Sequence, residues 1–587
     1  MSADNGENDP NGGGVGDDGG GGAPAPGEGV GDPALERMIN EAIEHHRNSR
    51  FQQAAEGYWK VMEADPGHAQ ATYLLGMVMH RIGENEKAIE LISQALAFGY
   101  GGAEEYCNLG IIYNQLGRLE DVVECQKQSI ARDPQYTAAY FNLGNAYRDL
   151  SQPEAAIEAL QTAVAQKPDF PQAYNNLGLA QSDAGRFEDA LACYDKALTS
   201  KPDYTDAYLN IGNALRELGR PDAAAVSFQK AIVLDHDLFE AHNNLGNVLM
   251  EQDQLEAAAA SYATAIGLKP DDPGAHKNLG IISLLQGDFE TGWPEYSWRR
   301  LEDDPVFKVR NYKPPFWDGE DLTGKTIFVY PEQGLGDIIQ FVRYLPMLRQ
   351  RGGRVAFDIP LPMARLMWDL DGIDVSLKDG DTLPPFDYHI PLLELPKLLG
   401  TTLDTIPAAK AYLHADKNLV EAWGERLGPK EEFRIGLVWG GSPDHLNERN
   451  RSIEPELFRP LVETPGVSAL SLLVGCDGEA GRVFGDVVTD LAPDLGDFAD
   501  TAAAIANMDL VISVDTAVAH LAGALGTMVW TLLPFNSDWR WMLGRDDSPW
   551  YPSMRLFRQE KRKDWEGVIE RVAAELADLA KAGPNAG

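Results

Sequence analysis

One spacing dominates this chain. Glycine recurs every 34 residues at Gly76, Gly110, Gly144, Gly178, Gly212, Gly246 and Gly280, with Ala42 at the same phase one period earlier. Twelve residues after most of these stand Ala54, Ala88, Ala156, Ala190, Ala224 and Ala258, and another twelve on come Pro66, Pro134, Pro168, Pro202 and Pro270. Small residues let two antiparallel helices cross closely, and proline cannot continue a helix. The period therefore predicts helix, turn, helix, stop, in eight units. Leu75, Leu109, Leu143, Leu177, Ile211, Leu245 and Leu279 precede the small phase, while Tyr58, Leu160, Tyr194, Phe228 and Tyr262 sit four after the alanine phase, enough to fill the space between helices. The last unit departs, with Gly292, Trp293, Tyr296, Trp298 and Arg299 in its second helix. A terminal unit that docks on something else is expected to look like this.

The pattern matches the tetratricopeptide repeat, and a period held at several positions over so many units is far more specific than a single motif. A further phase runs two residues before the glycines, at Asn108, Asn142, Asn176, Asn210, Asn244 and Asn278. The next residue in each case is a core Leu or Ile, so each carboxamide points about 100° from the core. On the first helices of a superhelix that direction lines the concave face, where a carboxamide can pair with an extended chain through both N–H and C=O. The competing reading is asparagine tolerated on a solvated face; its mediocre helix propensity weighs against that.

Composition divides the rest. Residues 1–33 are Gly-, Asp- and Pro-rich without Lys or Arg, which predicts a disordered acidic tail. Repeats are expected over 34–302 and a proline-containing connector over 303–322. TIFVY, RVAFDI and FDYHI read as strands alternating with helices in a first lobe, 323–415. RIGLVW, ALSLLV, LVISVD and TMVWTLL do the same in a second, 416–580, which ends in an amphipathic helix from Asp564 to Ala580, with 581–587 as a tail. Alternation of this kind implies parallel sheets and two Rossmann-like lobes. A formal charge of −40 repels nucleic acid and anionic membrane, so any nucleotide needs a local cationic pocket. Cys107, Cys125, Cys193 and Cys476 form no CxxC pair, indicating neither zinc nor a disulfide framework. With no signal-peptide pattern and no long apolar run, a cytoplasmic protein without membrane insertion is expected.

Three segments carry possible chemistry. Glu332-Gln333-Gly334-Leu335-Gly336-Asp337 lies between a strand and a helix, where glycines admit a ligand to the backbone. Ile339 replaces the third glycine of a dinucleotide fingerprint, and Asp337 is also a natural helix cap. Asp515-Thr516-Ala517-Val518-Ala519-His520 stands where a buried strand meets a helix, so the helix-start amides and the Thr516 hydroxyl can receive phosphate. Here the plain readings are an N-cap and a packed histidine. Gly440 to Ser452 supplies Arg449 and Arg451, able to neutralise a diphosphate, with surface solvation the alternative for Arg449. Asp379-Gly380-Asp381 has DxD spacing but reads as a polar turn, so no metal site is expected.

The GLGD and DTAVAHLAGALG segments resemble the two signature regions of the heptosyltransferase-like glycosyltransferases, which have the GT-B fold. Ala517 stands where that family typically has Gly, a departure from the motif at the donor-contacting backbone. The overall layout, an all-α tetratricopeptide-repeat superhelix followed by an α/β GT-B domain, is similar to the protein O-GlcNAc transferases and closer to bacterial flagellin glycosyltransferases. By that resemblance Asp337 is the general base, and Gly334, Gly336, Arg451, Asp515, Thr516 and His520 bind the donor. The asparagine phase binds the acceptor, as in the O-GlcNAc transferases. The reaction implied is inverting, metal-independent transfer to Ser or Thr of flagellin, which serves flagellum assembly and motility. The donor is a nucleotide-sugar, with no other cofactor; a nonulosonic acid such as pseudaminic acid would arrive CMP-linked. Two alternatives stay open, a lipid or polysaccharide acceptor and a non-catalytic repeat scaffold.

Overall fold

The computed structural model describes residues 33–302, 310, 312–378, 380–441, 448–475 and 478–582. The acidic tail up to residue 32, most of the connector's first half, Asp379, Ser442 to Asn447, Cys476, Asp477 and the last five residues lie outside these. The chain divides into two compact units, Met1–Ala214 and Leu215–Gly587.

From Pro33–Arg47 to Phe289–Tyr296 the described residues form sixteen helices, two per period. The small phase does what its spacing implies. A methyl added at Gly178 would fall 2.7 Å from Tyr194 Cδ1, and one at Gly246 2.6 Å from the Tyr262 ring, so each first helix lies directly on the large residue of its partner. In the first unit the roles are exchanged: Ala42 brings the methyl, and Gly57 across from it gives way. Each predicted stop proline lies two residues beyond its helix, as Pro66 does after Phe51–Ala64. One phase escaped the sequence reading. The turn between the two helices places Ser49, Gly83, Gly117, Ser151, Gly185, Gly219, Asp253 and Gly287 at positive φ, again 34 residues apart. Only glycine adopts that backbone without penalty.

The asparagines are half-buried and joined along the array. Asn108 Nδ2 donates to Tyr73 Oη at 2.8 Å, Asn142 to Cys107 Sγ at 3.2 Å, Asn176 to Asn145 Oδ1 at 2.8 Å and Asn210 to Asn175 Oδ1 at 3.0 Å. In the second unit Asn278 donates to Asn247 Oδ1 at 3.0 Å; Asn244 is also engaged. Their donors thus tie one repeat to the one before it, a role the helical-wheel argument did not foresee because it considered one helix at a time.

The last repeat is compressed. Its second helix, Phe289–Tyr296, contains Pro294 and passes into a tight turn, Ser297–Leu301. A methyl at Gly280 would meet the backbone of Tyr296, and one at Gly292 would meet Leu284 at 2.7 Å. The large side chains so displaced point elsewhere: Trp293 Nε1 donates to the Thr401 carbonyl at 3.1 Å, and Phe289 stacks on Trp550, 5.9 Å between ring centres.

Two parallel sheets follow. The first comprises β1 (Thr326–Tyr330), β2 (Arg354–Asp358), β3 (Val375–Leu377) and β4 (Tyr388–Pro391), in the order β3-β2-β1-β4. The second comprises β5 (Phe433–Val438), β6 (Val467–Ser471), β7 (Val488–Asp490), β8 (Leu510–Val514), β9 (Val529–Leu533) and β10 (Met554–Arg558), in the order β10-β9-β8-β5-β6-β7. Strands β5, β8 and β9 are buried along their whole length, which is why they read as unbroken apolar runs. In both sheets the winding reverses beside the first strand, opening a crevice at β1/β4 and at β5/β8 where parallel sheets bind ligands. This is the architecture of an α/β domain consistent with GT-B. Among the described residues no helix is long and apolar enough to cross a membrane.

Gly178→Ala should destabilise the repeats by about 1–3 kcal/mol through overpacking against Tyr194, whereas Ser151→Gly should stabilise them by about 0.5–1 kcal/mol by relieving the turn. Urea unfolding followed by helical circular dichroism reads both signs.

Candidate active site

After β1 the chain turns through Glu332 and Gln333 into the helix Leu335–Phe341. Asp337 sits in its first turn and accepts from the Gly334 N–H through Oδ2 at 2.9 Å. The capping role considered for it is therefore real, but it occupies only one oxygen. The other, Oδ1, is paired with Nη2 of Arg540, which also binds Asp538 Oδ1 through Nη1 at 2.8 Å. Asp337 and Arg540 are 15% and 8% exposed. Burial pushes the Asp337 carboxyl above its usual value while the Arg540 charge opposes that rise; Arg540, facing Asp337 and Asp538, stays protonated. Gly336 has a packing explanation: a methyl there would come within 2.9 Å of His520 Cδ2, so its absence lets the first-lobe helix meet the second-lobe helix Ala517–Leu525. Gly334 carries no such crowding, since a methyl would meet only Asp337 Oδ2 at 3.4 Å.

Strand β8 delivers Asp515 and Thr516 to the start of Ala517–Leu525, whose first turn has no side-chain cap. The Thr516 and Ser513 hydroxyls lie 3.0 Å apart. His520, one turn on, is buried: its Nδ1 is 2.8 Å from Tyr551 Oη, its ring stacks on Trp541, and its Nε2 is 3.9 Å from Asp515 Oδ1. Burial, with Arg540 and Arg343 nearby, holds the imidazole down at about 3, so it is neutral in the fold. Burial and the Asp538 charge push Asp515 up to about 6. Across the β5/β8 crevice Arg451 Nη1 donates to the Asp515 carbonyl at 2.9 Å, and its Nε to Glu448 at 2.7 Å. Glu448 also accepts from the Gly441 N–H at 2.7 Å, tying the loop after β5 to this arginine.

Asp337, Arg451, Asp515, Thr516 and His520 are thus brought to the carboxyl ends of β1, β5 and β8. Arg449 is separate: it lines an open cavity of about 650 Å³ with Ser452, Phe535, Gln559, Arg562 and Trp565, beyond the ends of β5, β9 and β10. Asp381 closes a turn by accepting from the Lys378 N–H at 3.0 Å, and no group of three or more potential metal ligands occurs among the described residues. Sequence reasoning missed Arg540 and Asp538. Their signal was a charged pair set among tryptophans, Asp538-Trp539-Arg540-Trp541, just after a buried strand.

This geometry defines a repeat protein with an α/β domain of two parallel sheets, consistent with GT-B. The comparisons agree. Tetratricopeptide-repeat descriptions match residues 39–103, 107–171, 141–204 and 175–237, with a further repeat match at 246–287. Glycosyltransferase family 9 (heptosyltransferase) matches residues 479–564, a span that holds Asp515, Thr516, His520 and Arg540 but not Asp337 or Arg451. The chain therefore carries N-terminal tetratricopeptide repeats and a C-terminal glycosyltransferase family 9 domain. Protein FlbA of Caulobacter vibrioides is 32% identical over 325 residues, covering 49% of this chain and 52% of FlbA, so the chain spans about half the length of that relative. Similar solved structures include the C-terminal part of a TPR repeat-containing protein from Cytophaga hutchinsonii (16% identity, TM-score 0.36, 41% of this chain and 99% of that one). YrrB, a TPR protein with an unusual peptide-binding site, is another (22%, TM-score 0.30, 32% and 97%).

The two perturbed groups at β8 act on stability in opposite directions. His520 binds a proton only when unfolded between about 6.5 and 3, so its contribution is present above that window and lost as pH falls through it. Asp515 binds a proton more readily when folded, so its contribution is present below about 4 and lost as pH rises through about 6. Between pH 4 and 6 they offset each other. Asp515→Asn should leave stability rising with pH there, by up to about 1.4 kcal/mol per unit more than wild type, and His520→Gln should make it fall; denaturant midpoints against pH check both.

Proposed function

We propose that this chain is a glycosyltransferase that moves a sugar from a nucleotide-sugar onto a hydroxyl of a protein held by its repeats, with flagellin as the acceptor to test first. The observation that carries the reading is the meeting of Asp337 with Arg540, beside Arg451 and the uncapped start of Ala517–Leu525. Asp337 removes the proton of the acceptor hydroxyl as its oxygen attacks the anomeric carbon, and the bond from that carbon to the donor phosphate breaks. Arg540, Arg451 and the helix-start amides receive the negative charge of the leaving nucleotide. The donor phosphate competes with Asp337 for Arg540, so binding the donor frees the base that the reaction needs. A single displacement of this kind inverts the anomeric centre.

The repeats supply the acceptor site. With their nitrogens bonded between repeats, Asn108, Asn142 and Asn210 offer carbonyl oxygens to the N–H groups of an extended chain. The layout similar to flagellin glycosyltransferases favours flagellin and a nonulosonic acid donor. Mass spectrometry of flagellin co-expressed with this chain and a donor pathway tests the acceptor: added sugar supports the reading, and unmodified flagellin beside a modified glycolipid or polysaccharide rejects it.

Two measurements test the chemistry. Asp337→Asn, which can still cap Gly334 but no longer competes as a charge for Arg540, should bind the donor at least as tightly as wild type and lower turnover by about 10²- to 10⁴-fold. EDTA should leave transfer unchanged, because arginines and helix amides neutralise the leaving phosphate; activity lost in EDTA and restored by magnesium would reject that assignment.

A further inference from the structure

The terminal repeat reaches both sides of the Asp337–Arg540 pair. On the Asp337 side, Gln333 has φ +62°, a conformation rare for a residue with a side chain, and its Nε2 donates to Tyr296 Oη at 3.0 Å. Its neighbour Glu332 is paired with Arg299, which is 1% exposed, bonds the Tyr296 carbonyl at 3.1 Å and reaches Glu394 at 2.9 Å. Glu394, equally buried, accepts from Ser297 Oγ at 2.8 Å and lies 3.4 Å from Arg300 Nε, so the two carboxylates and two guanidiniums balance. On the other side, Trp293 and Tyr296 pack against Trp539 with ring centres 5.4 and 5.7 Å apart, and the Arg540 guanidinium lies 4.3 Å above that same Trp539 ring. Tyr296 therefore touches the segment that precedes the base and the ring that carries its partner.

We propose that Tyr296 and Arg299 of the last repeat are positioning residues for transfer, holding Glu332–Gly334 in the strained turn that presents Asp337 to Arg540. The physical reason is that a left-handed non-glycine residue relaxes unless its surroundings over-determine it, and here the repeat supplies Tyr296 together with Arg299 and Arg300, which complete an ion-pair cluster with Glu332 and Glu394. This rests on the assignment of Asp337 as the base.

The test uses the full chain and a double-mutant cycle of Tyr296→Phe and Gln333→Ala, with turnover, donor KM, unfolding midpoint and amide hydrogen exchange over residues 331–341 as readouts. Each single variant should lower kcat by about ten- to a hundredfold, leave donor KM and the unfolding midpoint essentially unchanged, and speed exchange in that segment. The double variant should be no worse than the poorer single, because both remove one contact. Wild-type kcat and exchange in Tyr296→Phe would overturn the proposal, as would additive losses that track a lowered unfolding midpoint. Undiminished turnover in Asp337→Asn would instead sink the base assignment, and the exchange readout would still decide whether Tyr296 orders the turn.

Discussion

A carboxylate and a guanidinium withdrawn from water cost several kcal/mol each unless they satisfy one another closely, and the Asp337–Arg540 pair imposes that condition on everything around it. One partner rides on the helix after β1 and the other on the turn after β9, so the two lobes must approach until the charges meet. Gly336 removes the side chain that would keep the helices apart. Asp538, Trp539 and Trp550 hold Arg540 by a carboxylate, a ring face and a hydrogen bond to its carbonyl. His520 stays uncharged because it is buried beside that arginine, and Asp515 resists ionising because it is buried and Asp538 is near, against the opposing pull of Arg540. Burial around this pair, with Arg540 and Asp538, thus sets the charge states of its neighbours.

The repeat array joins this arrangement through a change in its own packing rule. Elsewhere the glycine faces a side chain of the second helix, Ile92, Gln126, Leu160, Tyr194 or Tyr262; in the last unit Gly280 faces backbone, and Gly292 faces Leu284. Once the helices sit that close, Phe289, Trp293 and Tyr296 have no room between them. They become the apolar surface on which Trp539 and Trp550 pack. A repeat that fails as a repeat is what allows it to belong to the neighbouring domain.

Much of this was legible beforehand because it follows from short-range steric rules. The 34-residue phases of Gly, Ala and Pro state helix crossings and stops directly, and fully buried strands such as LVISVD stand out as apolar runs. The expected helix near Asp337, the helix after Asp515 and the final helix, seen as Trp565–Ala582, were found by the same means. Strands β3 and β7 were missed because three residues carry no period, and β10 because Arg555 and Arg558 interrupt an edge strand. The site was half visible. Glycine-bearing strand-to-helix turns identify where a ligand approaches, but Arg540 is 203 residues from Asp337, and no local pattern states that they meet. The asparagine phase was visible as a phase, whereas the bonds from one repeat to the next required the neighbouring helix.

The left-handed turn phase has a mechanical side. Ser49, Ser151 and Asp253 occupy it where the other units have glycine, and they fall in the first, fourth and seventh periods. In an array whose units lean mainly on their neighbours, each link yields according to its own stability. Hairpins closed by a reluctant residue are the less stable ones, and here they recur at every third period. The least secure hairpins are thus spaced through the array, with glycine-closed units between them, and each loosens a repeat within itself rather than parting it from its neighbour.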